Sequence, residues 1–264
     1  MAKIIDGRKI AERVKDQIAK DIFALKGPRP NLAIILVGDR EDSQLYVSLK
    51  EKEGKKVGID THLYELESSI SEQEILDIIN FLNHDDLIDG ILVQLPLPDN
   101  FNTDKIIAAI DPAKDVDGFH PDGPEYLLSP VLASILACLD EIKFVPAGKT
   151  ACILYNSEVF GLSIRDMLAA RGMVVTLKNK PEGADLLISA LGESHKIKKE
   201  MIKPDAVVID IGISRLDGKV VGDIDIEDAK DKIGYVTPVP GGIGPMTIAF
   251  LFQNVWEIYK RKHG

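Results

Sequence analysis

NLAIILVGD, residues 31–39, is an unbroken apolar run closed by Gly-Asp. A strand with one wet face alternates apolar and polar residues. A strand covered on both faces does not, and parallel sheets in α/β proteins are of this second kind. The flanking sequence supports that reading. Before the run, Ile10, Val14, Ile18 and Ile22 recur at i+4 spacing among Lys, Glu, Asp and Gln. That pattern predicts an amphipathic helix over 7–25, stopped by GPRP at 27–30. After the run come a polar helix over 41–57 ended by Gly58, a strand over 60–65 and a helix opening at SEQE (71–74). Ser71 and Glu74 stand at capping-box spacing. A further strand lies in DGILVQL (89–95). The alternation β-α-β-α-β predicts an α/β layered fold.

Past a helix near 103–109, DPAKDVDGFHPDGP (111–124) is polar, turn-rich and carries four carboxylates, as a functional loop does. Residues 130–142 read as helical, and PAGK (146–149) reads as a boundary. A second α/β unit opens at TACILY (150–155). It continues with a helix over 161–171 and strands in VVTL (174–177), DLLISAL (185–191) and DAVVIDIGI (205–213). TPVPGGIGP (237–245) is a Pro/Gly loop. The last helix, 246–261, sets Ile248, Leu251, Val255 and Ile258 on one face. The expected organisation is an N-terminal α/β domain over 1–142, completed by the helix at 246–264, and a second α/β domain over 143–245. A cleft between two such lobes is a usual place for a ligand.

The chain has 264 residues, 45% of them apolar and 28% charged, so it can bury a core without disulfide staples. Its 32 basic and 42 acidic residues give a net charge of −10. That balance argues against nucleic acid as a partner, since such binding rests on neutralised phosphates. No apolar run has the length of a membrane span, and MAKIIDGRKIAERVK lacks the apolar core of a secretory signal. Cys138 and Cys152 sit in apolar contexts without metal-ligand or redox spacing, so they read as buried thiols and no metal site is expected from them. A cytoplasmic location follows as the expectation.

Four stretches carry candidate chemistry. Tyr46 and Lys50 are four apart on a predicted helix and share a face; the competing reading is a solvated face, because Glu51, Lys52 and Glu53 follow. Gln94 sits at the carboxyl end of a buried strand, where α/β sheets bind ligands; it also fits a turn-forming amide. Asp115 and Asp117 are two apart before Gly118. They fit hydrogen-bond acceptors for a ligand, a Mg²⁺ pair, or a turn in which Asp bonds its own backbone. His120 beside them is a candidate base. PGGIGPMT (240–247) is glycine-rich before a helix, so it suits close backbone approach to an anionic ligand, or a structural turn. It has no Walker A lysine.

In order and spacing, DSQLYVSLKEK…GI, DGILVQLPLP, KDVDGFHP and GYVTPVPGGIGPMTIAFL resemble the bifunctional methylenetetrahydrofolate dehydrogenase/methenyltetrahydrofolate cyclohydrolase family, known in bacteria as FolD. The resemblance covers nearly the whole chain. It implies an N-terminal α/β folate domain, a Rossmann-type dinucleotide domain and folate in the cleft. It further implies oxidation of 5,10-methylenetetrahydrofolate with NAD or NADP, hydrolysis of the methenyl product to 10-formyltetrahydrofolate, and a homodimer. By the same resemblance Lys50 is the catalytic lysine, Tyr46 the stacking ring, Gln94 the amide that positions the lysine and Asp117 the pterin anchor. Ser43, Val93, Leu95 and the segment Pro240, Gly241, Gly242, Ile243, Gly244 line the folate.

The nucleotide half departs from the family's pattern. GKTACILYNSEVFGLS (148–163) places Tyr155 where the family has Gly, Asn156 where it has Arg and Ser163 where it has Pro, while Ser157 and Gly161 remain. A Gly admits the pyrophosphate, and an Arg fork suits a 2′-phosphate. The cofactor contacts implied are Tyr155, Asn156, Ser157, Gly161, Lys178 and Ile213, with Lys178 and Lys180 as the remaining local positive charge. Three readings stay open on the residues alone: a bifunctional enzyme with unusual cofactor contacts, a cyclohydrolase without the dehydrogenase step, and a non-catalytic folate-binding relative.

Overall fold

A computed structural model describes residues 2–120 and 126–264. The first half runs β1 (Lys3–Ile4), α1 (Gly7–Phe23), β2 (Asn31–Val37), α2 (Glu41–Val57), β3 (Asp60–Leu66), α3 (Glu72–His84), β4 (Gly90–Val93) and α4 (Thr103–Ala108). The second runs α5 (Pro130–Glu141), β5 (Thr150–Tyr155), α6 (Glu158–Ala169), β6 (Val174–Leu177), β7 (Leu186–Ala190), β8 (Ala206–Asp210), β9 (Ser214–Leu216), β10 (Lys219–Val221), α7 (Ile226–Ala229), β11 (Ile233–Val236) and α8 (Ile243–His263). The chain divides into two compact units. One comprises Met1–Ala11 and Val131–Thr247, the other Glu12–Pro130 and Ile248–Gly264. Residues 2–11 and 131–142 thus belong to the second α/β unit rather than the first, and β1 joins its sheet beside β11.

In the unit built on residues 12–130 and 248–264, a parallel sheet of order β3-β2-β4 carries the apolar run as its central strand. Every β2 residue after Asn31 is buried, as expected of a strand covered on both faces. One face packs Leu32, Ile34 and Leu36 against Ile18, Ile22, Val47 and the α8 residues Leu251, Phe252 and Val255. The other packs Ala33, Ile35 and Val37 against Ile75, Ile79 and Leu82 of α3. Alternate residues of one strand thus serve two cores. Ser71 accepts from the Glu74 N–H and Glu74 returns a bond to the Ser71 N–H, so the capping box forms. Gly58 ends α2 at φ 88°, the left-handed region that suits glycine.

In the other unit the sheet order is β1-β11-β8-β7-β5-β6, with every pairing parallel. From β5 the chain steps to β6 on one side and returns to β7 on the other. This is the doubly wound arrangement, with its switch point outside the carboxyl ends of β5 and β7. Its core joins Cys152, Leu154, Leu187, Val208 and Val236. Both cysteines are buried and free. Three features differ from the sequence expectation. Helix α6 starts at Glu158 rather than 161. Helix α8 starts at Ile243, inside the expected loop. An antiparallel β9–β10 hairpin, the strands β1 and β11 and the short helix α7 add to the expected set.

Candidate active site

Ser43, Tyr46, Val47 and Lys50 lie at i, i+3, i+4 and i+7 on α2, one stripe of the helix. Val47 and Ser43 are buried, and Tyr46 and Lys50 are half-buried. The solvated-face reading of Lys50 therefore fails, although its neighbours Glu51, Lys52 and Glu53 are charged. Lys50 Nζ donates to Gln94 Oε1 at 2.7 Å. Gln94 Nε2 donates to the Leu95 carbonyl at 2.6 Å, and the Gln94 N–H donates to the Ile35 carbonyl at 2.8 Å. Gln94 is thus fixed at the carboxyl end of β4 by backbone on two sides, with its amide oxygen turned to the lysine. Val93 is buried below it and Leu95 half-buried above.

Asp117 arrives by a different route. Asp115 bridges to Ile91 in parallel register, so residues 115–117 run alongside β4. A Cβ on Gly90 would stand 2.5 Å from a Val116 methyl carbon, which shows how close the two segments lie. Asn254 on α8 donates to the carbonyls of Val116 (2.8 Å) and Leu128 (3.1 Å), tying this segment down. Asn254 and its role were not legible in the sequence.

The Asp115 carboxylate accepts the backbone N–H groups of Asp117, Gly118, Phe119 and His120 at 2.6–3.1 Å, and meets His120 Nδ1 at 2.8 Å. The turn reading therefore holds for Asp115, and a Mg²⁺ pair with Asp117 would need oxygens already engaged. Among the described residues no group of three His, Cys, Asp or Glu is placed to hold a metal. His120 is bound to Asp115 and makes no hydrogen bond to Lys50 or Gln94. The end of the predicted functional loop, residues 121–124, lies outside the described residues.

The charges of the site are mutually adjusted. Burial lowers the Lys50 pKa, opposed by the charge of Asp117. Burial pushes Asp117 up to about 6, opposed by Lys50 and reinforced by Asp115. Burial thus lowers the lysine and raises the carboxylate, which brings the two groups' proton affinities closer together than in exposed side chains. Burial also raises Tyr46, with Asp42 adding to the effect. The Ser43 hydroxyl is buried without a hydrogen-bond partner, so one polar group of the stripe is left for a ligand.

The Pro240–Gly244 segment belongs to the other unit, after β11 and running into the first residues of α8. Gly241 and Gly242 are buried there. A Cβ on Gly7 would fall 1.9 Å from the Gly242 carbonyl oxygen, so α1 begins in direct contact with this loop.

At the switch point, Tyr155 ends β5 and is buried. A Cβ on Gly161 would stand 2.4 Å from the Tyr155 ring, so Gly161 serves the packing of α6 on that ring. Tyr155 thus brings a buried ring to the position where the family has the glycine that admits a pyrophosphate. Lys178, after β6, holds its Nζ 4.0 Å from the same ring centroid. Asn156 Nδ2 donates to the Leu191 carbonyl at 3.0 Å, bridging the ends of β5 and β7. Ser157 is exposed and caps α6 without spending its side chain on the helix N–H groups. That leaves the start of a 12-residue helix, with its positive end, open to an anionic group. Ile213 is exposed after β8. The exposed Ser157 and the α6 N-terminus suit a dinucleotide's phosphates, with the Tyr155 ring packed beside Gly161.

Comparison with known proteins agrees across the chain. Residues 5–117 match the family model for the tetrahydrofolate dehydrogenase/cyclohydrolase catalytic domain, and residues 130–263 match that for its NAD(P)-binding domain. The chain is 40% identical over 283 aligned positions to the bifunctional protein FolD of Halothermothrix orenii, covering all of both chains. It superposes on the crystal structure of the bifunctional enzyme FolD from Campylobacter jejuni with a TM-score of 0.94 and 38% identity, covering 99% of each chain. The Trypanosoma brucei enzyme, complexed with NADP and an inhibitor, gives a TM-score of 0.90 at 28% identity, covering 98% of each.

Proposed function

The chain belongs to the tetrahydrofolate dehydrogenase/cyclohydrolase family, and from that premise we propose that it oxidises 5,10-methylenetetrahydrofolate to the methenyl form with NAD or NADP and hydrolyses that form to 10-formyltetrahydrofolate. The observation that carries this reading is the Lys50–Gln94 bond with Asp117 close enough to shift the lysine. A methenyl group is a cationic amidinium, beside which a neutral amine is better placed than an ammonium. Water adds to the methenyl carbon and gives a proton to Lys50. The carbon–N5 bond then breaks as N5 takes that proton back and the carbon-bound hydroxyl gives up its own proton to solvent, leaving the formyl group on N10. Gln94 holds the amine without adding charge. Asp117 accepts from the paired N–H groups of the pterin, and Tyr46 stacks on the flat ring system. Ser43, Val93, Leu95 and Pro240–Gly244 line the folate.

The dinucleotide, when bound, supplies the hydride acceptor for the oxidation. Ser157 and the α6 N-terminus receive its phosphates, with Asn156, Tyr155, Lys178 and Ile213 around them. The enzyme works in the cytoplasm as a homodimer paired through the nucleotide unit. Support for this comes from the family resemblance and the two free buried thiols. The charge of −10 and a small-molecule site leave nucleic acid and membrane out of the partner set.

A pair of absorbance assays tests the reading. Methenyltetrahydrofolate should decay faster with the enzyme and no dinucleotide, and should form from the methylene compound when NAD or NADP is added. Hydrolysis without oxidation by either cofactor would remove the dehydrogenase half. Neither reaction would remove both.

A further inference from the structure

Two carboxylates lie buried together where β7 and β8 end. Asp210, the last residue of β8, is 1% exposed, and Asp223, just past the β9–β10 hairpin, is 0% exposed. Hydrogen bonds compensate both. Asp223 Oδ2 accepts the Ser189 hydroxyl and the Leu191 N–H, each at 2.7 Å, and Oδ1 accepts the Glu193 N–H at 2.8 Å. Asp210 accepts the N–H groups of Gly212 (3.0 Å), Asp223 (3.2 Å) and Ile224 (3.0 Å). A Cβ on Gly212 would stand 2.1 Å from the Asp223 carboxylate, and one on Gly222 would stand 2.0 Å from that of Asp210. Each carboxylate fills room that only glycine leaves.

The segment Leu191–Glu193 leaves the carboxyl end of β7, on one side of the switch point. Asn156 reaches it from the end of β5 through the Leu191 carbonyl. It is therefore one wall of the crevice at which a doubly wound sheet binds its ligand. Two of its three backbone N–H groups end on Asp223. Hydrogen bonds to a charged acceptor are the stronger kind, and a buried one left unmade is costly.

We propose that Asp223 is a positioning residue for the dehydrogenase step: its carboxylate fixes the Leu191–Glu193 wall of the dinucleotide crevice, and Asp210 fixes Asp223 in turn. The proposal rests on the dehydrogenase reading given above. Asp223 touches no reacting atom. It acts through the backbone it holds, and the hydrolytic step, whose proton-handling residues Lys50, Gln94 and Asp117 lie in the other unit, does not depend on it.

The test is Asp223→Asn in the full-length protein, with Ser189→Ala beside it. The amide keeps the size but turns an N–H₂ group toward backbone N–H donors. Asp223→Asn should raise the dinucleotide KM about tenfold or more and leave cofactor-free hydrolysis within about twofold of the parent. Ser189→Ala removes one bond to the same carboxylate but neither loop bond, and should leave that KM unchanged. A folded Asp223→Asn with the parent's dinucleotide KM overturns the proposal. So does Ser189→Ala with an equal rise, since that would mean general loosening. If Asp223→Asn does not accumulate folded, amide exchange in the parent decides. The Leu191 and Glu193 amides should be protected like those of β7, and exchange at the rate of an exposed loop overturns the proposal. A parent without dinucleotide-dependent oxidation sinks the dehydrogenase reading and this proposal together, and is seen before any substitution is made.

Discussion

Lys50 Nζ and Gln94 Oε1 meet at 2.7 Å while the other end of the Gln94 amide is spent on the Leu95 carbonyl. The amide cannot turn without losing both bonds, so Gln94 presents an acceptor, never a donor, to the lysine. A neutral acceptor orients the amine and leaves its pKa to burial. Gln94→Glu replaces it with a carboxylate of the same shape. That charge favours the ammonium, so the Lys50 pKa rises. The hydrolysis rate at neutral pH should fall, and its pH profile should move to higher pH. Lys50→Met, which keeps the stem and removes the amine, should abolish hydrolysis with the fold intact by circular dichroism. A Gln94→Glu profile superposing on the parent's would remove the positioning role. Lys50→Met at the parental rate would remove the lysine from catalysis.

Asp117 stands near 6 chiefly because it is buried. Its ionised form accepts from the pterin, so affinity for a folate analogue should be full above that pH and fall as pH drops through about 6. Asp117→Asn loses a charge-assisted bond, about 1.5–3 kcal/mol, or roughly tenfold to a hundredfold in affinity. Stability should move the other way. The folded-state pKa lies above the ordinary 3.8, so the group's stabilising contribution is complete at low pH and is lost as pH rises through about 6. At pH above that window the Asn variant should melt no lower than the parent. Calorimetric titration from acid to neutral pH, with melting curves on both proteins, checks both halves.

Asp185 has the opposite sign. Lys203 Nζ at 2.6 Å, the Thr150 N–H at 2.9 Å and the Thr150 hydroxyl at 3.1 Å converge on it. The Lys203 bond is the largest cause that holds it down to about 2, against an ordinary 3.8. Its contribution is therefore present above about 4 and is lost as pH falls toward 2. Asp185→Asn should cost about 1–2 kcal/mol at neutral pH, allowing for partial exposure. The difference from the parent should shrink to nothing near pH 2. Urea unfolding at neutral and acid pH measures it, and a gap that persists in acid would assign the loss to packing.

The helices and long strands were legible because their burial pattern is local. Ile10, Ile18 and Ile22 declare a helix, and NLAIILV declares a covered strand, before anything else is known. The missed elements are short. In β11, IGYV has a glycine in its middle, at a point where a Cβ would fall 2.6 Å from the Asp205 carbonyl oxygen. The β9–β10 hairpin did carry a signal: Asp217 and Gly218 both take positive φ, 49° and 75°, as an Asp-Gly turn requires. In the site, Ser43, Tyr46 and Lys50 follow from helical spacing. Gln94 and Asp117 do not, since they stand 23 positions apart and only the parallel pairing of Asp115 with Ile91 of β4 brings their segments together. The Asp210–Asp223 interlock is hidden for the same reason: DIGI, read as the end of a strand, and GDID meet only once the hairpin folds one onto the other.

The last prediction concerns the choice between NAD and NADP. A site that reads the ribose 2′-hydroxyl sets an acidic residue after the second strand of the nucleotide fold. Here β6 is followed by Lys178, Asn179 and Lys180, with both lysines in the left-handed region at φ 52° and 56°. Cations replace the acid, which favours a 2′-phosphate. Against that, the position after Tyr155 holds Asn156 rather than an arginine, and its amide is bound to the Leu191 carbonyl. A lysine is a point charge without the paired geometry of a guanidinium, and Lys178 is already seated over the Tyr155 ring. Binding should therefore be weak, with NADP preferred by no more than about tenfold, or roughly 1.4 kcal/mol. The preference should vanish in Lys178→Ala/Lys180→Ala. Tyr155→Gly/Asn156→Arg should strengthen NADP binding but lower the melting temperature, because removing the ring leaves a cavity over Gly161. Calorimetric titration of both cofactors on the parent and the two double variants decides it. A strong NADP preference that survives loss of both lysines would place the selecting residue elsewhere.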